Sequence, residues 1–201
     1  KCPDKKRIKK IAAACPFQAI VEDEKKPGEM HLHMEQCNQC GRCLQVAPPG
    51  SLKIDAVNFN SFQEACALSV SIILSTFDPG KAAHLSLATH MTPVCDCFGF
   101  TSMPILPDVG IFGSDDIIAV ERAVLDATAG LRLFTENIPR AMEAQSVPGH
   151  PFQQLHGPLK DPYLVTEYGE KLGLGNREYE LVDVFPLEKI ERASPVYIPS
   201  K

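Results

Sequence analysis

No stretch of 18 consecutive apolar residues occurs in this 201-residue chain, so the sequence offers no membrane-spanning helix. Its first ten residues are rich in lysine, but no apolar stretch follows them, and no secretory signal pattern is expected. Nor is there a surplus of positive charge. Net charge is −5, and a surface that neutralises phosphates needs the opposite sign, which argues against nucleic acid as a partner. The exception is local: Lys5, Lys6, Arg7, Lys9 and Lys10 form a basic run, either a solvated helix face or a docking patch for an acidic partner. Apolar residues make up 44 % of the chain, enough for a buried core in one domain or two small ones.

Cysteine is what the chain has in excess. Eight cysteines in 201 residues would suit a disulfide scaffold in a small secreted protein. Here they cluster, with spacings of three residues and, at Cys95 and Cys97, of two. Clustered thiols suit ligation of a metal or an iron–sulfur cluster, and with it a reducing, cytoplasmic and anaerobic setting.

The most specific segment is Cys37-Asn38-Gln39-Cys40-Gly41-Arg42-Cys43. Three cysteines at C-x2-C-x2-C let one tight loop offer three thiolates to three corners of a 4Fe-4S cubane. Gly41 supplies the backbone freedom such a loop needs. The bacterial pattern continues with x3-C-P, but the chain has Ala47-Pro48 there, so the local fourth cysteine is missing. In two-cluster ferredoxins the fourth cysteine of each run serves the other cluster, so a distant Cys-Pro is required. Cys15-Pro16 is that dipeptide, and Phe17-Gln18-Ala19-Ile20 after it reads as an apolar strand over the cluster.

A second cluster would need cysteines at positions 5, 8, 11 and 47. The chain has Lys5, Ile8, Ile11 and Ala47, so all four sites are absent together. Cys2 is three residues too far from Cys15 to replace them. Residues 1–56 thus resemble a bacterial-type ferredoxin module reduced to one 4Fe-4S cluster on Cys15, Cys37, Cys40 and Cys43. A zinc ion on the same four cysteines is the alternative, although zinc sites more often pair two C-x2-C units.

Cys95-Asp96-Cys97 is the second constellation. In an extended segment residues i and i+2 share a face, so both thiols could point one way and bind a metal, form a disulfide or simply pack. Asp108, Asp115 and Asp116 could gather as a carboxylate group, against the plainer reading of helix capping and a turn at Gly110. Cys66 lies alone in an apolar run and reads as core.

The expected architecture is α+β: a small one-cluster ferredoxin-like module over residues 1–56, then a mixed α/β domain over residues 57–201. Residues 61–77 read as a helix, or a helix–strand pair, with a buried apolar face. Ser114-Asp115-Asp116 reads as an N-cap cluster. Ile117, Val120, Val124 and Ala127 follow at helical spacing, and Gly130 is the stop. Residues 165–172 read as another helix closed by Gly173, and the alternating residues 179–185 as a strand. Gly173-Leu174-Gly175 is only half a dinucleotide fingerprint and reads as the helix stop.

Three segments together resemble a known group. They are Cys95-Asp96-Cys97, the stretch from Pro107-Asp108 through Ser114-Asp115 to Ala119-Val120-Glu121, and Gly173-Leu174-Gly175 followed by Glu178-Tyr179-Glu180-Leu181. They are similar to the C-terminal half of domain-of-unknown-function family 362, whose members often carry a ferredoxin-type insert ahead of these motifs. The resemblance implies an iron–sulfur protein of anaerobes and archaea and supplies no settled reaction. It also implies that the usual N-terminal half is missing and that the chain is a piece of a longer protein or assembly.

Three functions follow as expectations. The chain is an electron-transfer protein or subunit that passes electrons to or from a larger redox partner. Alternatively it is a redox enzyme with a second metal or substrate site lined by Cys95, Cys97 and Asp108. In the third, the cluster only staples the fold.

Overall fold

The computed structural model describes residues 5–95, 99, 101–139 and 142–184. Cys2, Asp96 and Cys97 lie outside the described residues, so the pairing expected of Cys95 with Cys97 does too. Among the described residues the chain is a mixed α/β protein with six α-helices and two separate two-stranded antiparallel sheets. No helix there is long and apolar enough to cross a membrane.

The first helix, α1 (Lys5–Ala13), is short and basic. Ile8 and Ile11, three residues apart, share one face and are fully buried, while Lys6, Arg7, Lys9 and Lys10 are exposed. β1 (Ile20–Glu22) and β2 (Met30–Leu32) form a hairpin with Ile20 opposite Leu32 and Glu22 opposite Met30. An Asx turn at Asp23, whose Oδ1 accepts the Lys25 N–H at 2.8 Å, opens the connection. His31 lies on β2, and His33 follows with its Nδ1 3.0 Å from Glu35 Oε1. A short helix, α2 (Arg42–Val46), follows the cysteine loop and packs on α1.

α3 (Val57–Leu74) is one continuous helix, longer at its start than the sequence suggested and without a strand. Its expected buried apolar face is not observed. Ala67 is the single buried residue described on it, whereas Phe62, Leu68, Ile72 and Ile73 are more than half exposed or close to it. The reason is coverage: α6 (Leu164–Lys171) packs on the side carrying Ala67 and Val70. Cys66, expected in the core, is only half-buried for the same reason.

β3 (His84–Ala88) pairs with β4 (Gly110–Ser114), Leu87 opposite Ile111, and α4 (Ile117–Ala129) packs on this sheet. The helix begins and ends where its sequence signals place it. Asp116 is the N-cap, its Oδ1 accepting the Ile118 and Ala119 N–H groups at 2.8 and 2.9 Å, and Gly130 is the C-cap. Its buried residues are Ile118, Val120, Ala123, Leu125 and Thr128, so of the four expected positions only Val120 is fully buried. α4 meets both the sheet and α6, which turns the buried stripe away from the simple one-sided pattern.

α5 (Pro151–His156) starts with His150 as N-cap and Pro151 at its first position. His150 is buried; its Nδ1 accepts the Phe152 N–H at 3.2 Å and its Nε2 lies 3.1 Å from the Leu125 carbonyl. Burial holds this imidazole below its ordinary range, in keeping with a neutral ring whose Nδ1 must stay an acceptor. A core of Ile105, Leu106, Leu133, Ile138 and Leu155 ties α5 to the loops before it. α6 closes as read: Gly173 has φ +75°, and the Gly173 and Leu174 N–H groups return to the Glu170 and Gly169 carbonyls.

Residues 179–184 are not a strand, contrary to the alternation of their apolar residues. No described strand lies alongside to pair with them. They run as a tail anchored through side chains. Tyr179 donates to Asp126 Oδ2 at 3.1 Å, and Arg177 is held by Glu170 at 2.7 Å.

Candidate metal centre

Four cysteines from two separate segments surround one cavity. Cys15 arrives from the end of α1, and Cys37, Cys40 and Cys43 from the loop leading into α2. The cavity measures about 210 Å³ and is lined by these four together with apolar Phe17, Ala19, Ile20, Leu32 and Met34. The residues after Cys15-Pro16 thus cover the site, as expected, although the strand itself is only Ile20–Glu22.

Local chemistry explains why the loop can wrap a centre. Gln39 and Gly41 both have left-handed backbone, φ 58° and 78°, so the chain reverses twice between Cys37 and Cys43. The Ala19 N–H points at Cys15 Sγ at 3.3 Å, a donor of the kind that stabilises charge on a ligating sulfur. Burial raises the Cys43 thiol, and Cys40, Cys37 and Cys15 raise it further, in that order after burial. The shared cavity and these mutual effects place the four sulfurs near one another. As bare thiolates they repel; a bound cation reverses the sign and holds them deprotonated. The donor set therefore fits a cationic iron–sulfur core.

No three His, Cys, Asp or Glu side chains among the described residues are gathered closely enough to hold a single metal ion. A zinc ion needs its sulfurs about 2.3 Å from one point. The four cysteines line one cavity of about 210 Å³.

At positions 8 and 11, where a second cluster would take ligands, Ile8 and Ile11 belong to the helix core. Ala47 is the C-cap of α2, its N–H donating to the Cys43 carbonyl at 3.0 Å. Among the described residues, which do not include Cys97, the remaining candidates are not gathered into a site. Cys95 is exposed. Asp108 accepts the His90 N–H at 2.7 Å, and Asp116 caps α4 and receives the Asn176 N–H at 2.8 Å, so both serve local backbone structure.

A third contributor had no sequence signal: residues 145–160 clamp the cysteine loop. Gln145, almost fully buried, donates to the Cys40 carbonyl at 2.9 Å and accepts from Gln45 at 2.6 Å. Arg42 donates to the Leu155 carbonyl at 3.2 Å, and Lys160 to Asn38 Oδ1 at 2.9 Å. Gly157, at φ +121°, lies flat against the Cys40 backbone. Nearby His156 is pushed down to about 4 by burial, with Lys160 and Arg42 adding to the effect.

No family model, curated protein or solved structure matches this chain.

Proposed function

We propose that the chain is an electron-transfer protein or subunit carrying one 4Fe-4S cluster on Cys15, Cys37, Cys40 and Cys43. The observation that carries this reading is the convergence of the Cys15 thiol with the three loop thiols around one partly apolar cavity. Such a cluster, when bound, takes up and gives back one electron, within a range of roughly −700 to +450 mV. The chain's own residues do the rest. Phe17, Ile20 and Leu32 limit water at the site, and the Ala19 N–H offers its bond to the Cys15 sulfur. In this reading residues 1–56 are a ferredoxin-like module that keeps one of two cluster sites, with Ile8 and Ile11 serving the core instead of the other.

A one-electron centre of this kind takes its electron from one protein and gives it to another. We place that exchange in a reducing cytoplasm, with a larger oxidoreductase or a family 362 assembly as partner. The exposed face of α1 is the proposed docking side, Lys6, Lys9 and Lys10 lying opposite buried Ile8 and Ile11. Charges of this kind act on association rate and its salt dependence. Electron transfer to the purified partner should slow as salt rises, and changing Lys6, Lys9 and Lys10 to Gln should reduce both the low-salt rate and the salt slope. Equal rates and slopes in both proteins would remove the docking role. A protein that reduces no partner would contradict electron transfer itself.

A further inference from the structure

Two cationic side chains reach the cysteine loop from distant parts of the chain, and Lys53 and Asp55, of opposite sign, also line the cavity. Arg42 sits within the loop and Lys160 reaches it from beyond α5, with the His156 side chain close enough to both for its protonation to be opposed by them. Among the described residues no carboxylate lies within ion-pair distance of Lys160 or Arg42. Lys160 is half-buried, and its recorded side-chain bond goes to the neutral amide of Asn38, the residue next to Cys37. A desolvated ammonium without an anion is costly, so its placement calls for a counter-charge.

Asn38, the acceptor of Lys160 at 2.9 Å, lines the four-cysteine cavity next to Cys37, so the ammonium is held at the edge of the sulfur-lined site. Burial pushes the Lys160 ammonium down, whereas the Cys40 and Cys37 thiolates pull it back up. The position is also fixed from behind, because Gly157 is pressed against the Cys40 backbone and leaves three residues of chain to Lys160.

We propose that the Lys160 ammonium is the electrostatic partner of the cluster loop and raises the reduction potential of the bound cluster. The inference rests on the cluster reading above. Four thiolates give a 4Fe-4S centre a net negative charge, which grows by one when an electron arrives. A fixed neighbouring cation therefore stabilises the reduced form more than the oxidised form. The position of Lys160 far from Cys37 in sequence makes the second region of the chain a determinant of the potential of the first.

The test is an EPR-monitored redox titration of the full chain, reconstituted anaerobically with iron and sulfide and reduced with dithionite. Wild type, Lys160→Gln, Lys160→Arg and the distant control Lys81→Gln are compared, with iron content measured for each. At a fixed potential the reduced-to-oxidised ratio should fall about tenfold in Lys160→Gln, a downward shift of about 59 mV for one electron. Lys160→Arg and Lys81→Gln should stay within about threefold of wild type, since a kept or distant charge changes the field little. An unchanged ratio in a fully loaded Lys160→Gln protein overturns the proposal, as does a tenfold fall in Lys160→Arg. If Lys160→Gln fails to hold iron, Lys160→Arg decides. Loading at the wild-type potential upholds the charge, and failure to load assigns Lys160 to packing and overturns it. A wild-type protein that binds no cluster refutes the underlying reading instead, and iron content distinguishes the two failures.

Discussion

Replacing Cys15 with Ser is expected to leave a labile or three-iron cluster, whereas Cys66→Ser should leave the cluster spectrum unchanged. The reason is geometric. Three of the cavity's thiols come from one loop, and the fourth, at a separate corner, arrives from the end of α1. A serine hydroxyl is a harder and poorer donor to iron than a thiolate, so the iron at that corner is the one lost. Cys66 is half-buried on α3 and is absent from the cavity lining, so its loss touches no ligand. Iron analysis and EPR of both variants read the difference. An unaltered 4Fe-4S signal in Cys15→Ser would sink the assignment of the fourth ligand.

The second large effect is expected at Gly157. A Cβ added there would lie 2.6 Å from the Cys40 carbonyl oxygen and 3.0 Å from its Cα, and the φ of +121° is one that side chains rarely accept. The strained backbone alone costs about 1–3 kcal/mol. The overlap is with backbone rather than a flexible tip, so relief requires the cysteine loop to move. Gly157→Ala should therefore lower thermal stability and reduce iron retention together. Gly130→Ala is the control: its Cβ would meet nothing within 4 Å, and iron retention should be unaffected. A Gly157→Ala protein that keeps both its melting temperature and its iron would show that the clamp over Cys40 is unimportant.

These two positions mark what could and could not be read from the chain. The place of Cys15 beside the three loop cysteines was legible because cluster-binding chains follow a spacing rule, and the missing cysteine at Ala47 points back to a distant Cys-Pro. α4 and the end of α6 were legible because caps are local chemistry: Asp116 binds the first N–H groups, and Gly173 takes the left-handed turn. Gly157, Gln145 and Lys160 were not legible. They act on a loop more than a hundred residues away, and nothing in their neighbours signals that contact. Leu155-His156-Gly157-Pro158 reads only as the end of a helix followed by a turn. Two errors share one cause: no neighbour among the described residues. Phe62, Ile72 and Ile73 form an apolar surface that α6 does not cover, and the alternation at residues 179–184 finds no strand to pair with. Periodicity reports which face prefers burial, and tertiary contacts decide whether it is buried.

The central claim is one 4Fe-4S cluster on four cysteines of a single chain. It is tested most directly by iron and acid-labile sulfide analysis, with EPR, on anaerobically purified protein. The account predicts about four irons and four sulfides per chain and a signal that appears on one-electron reduction. About eight irons would mean that other cysteines build a second cluster, and one zinc ion without sulfide would replace the cluster with a structural metal site.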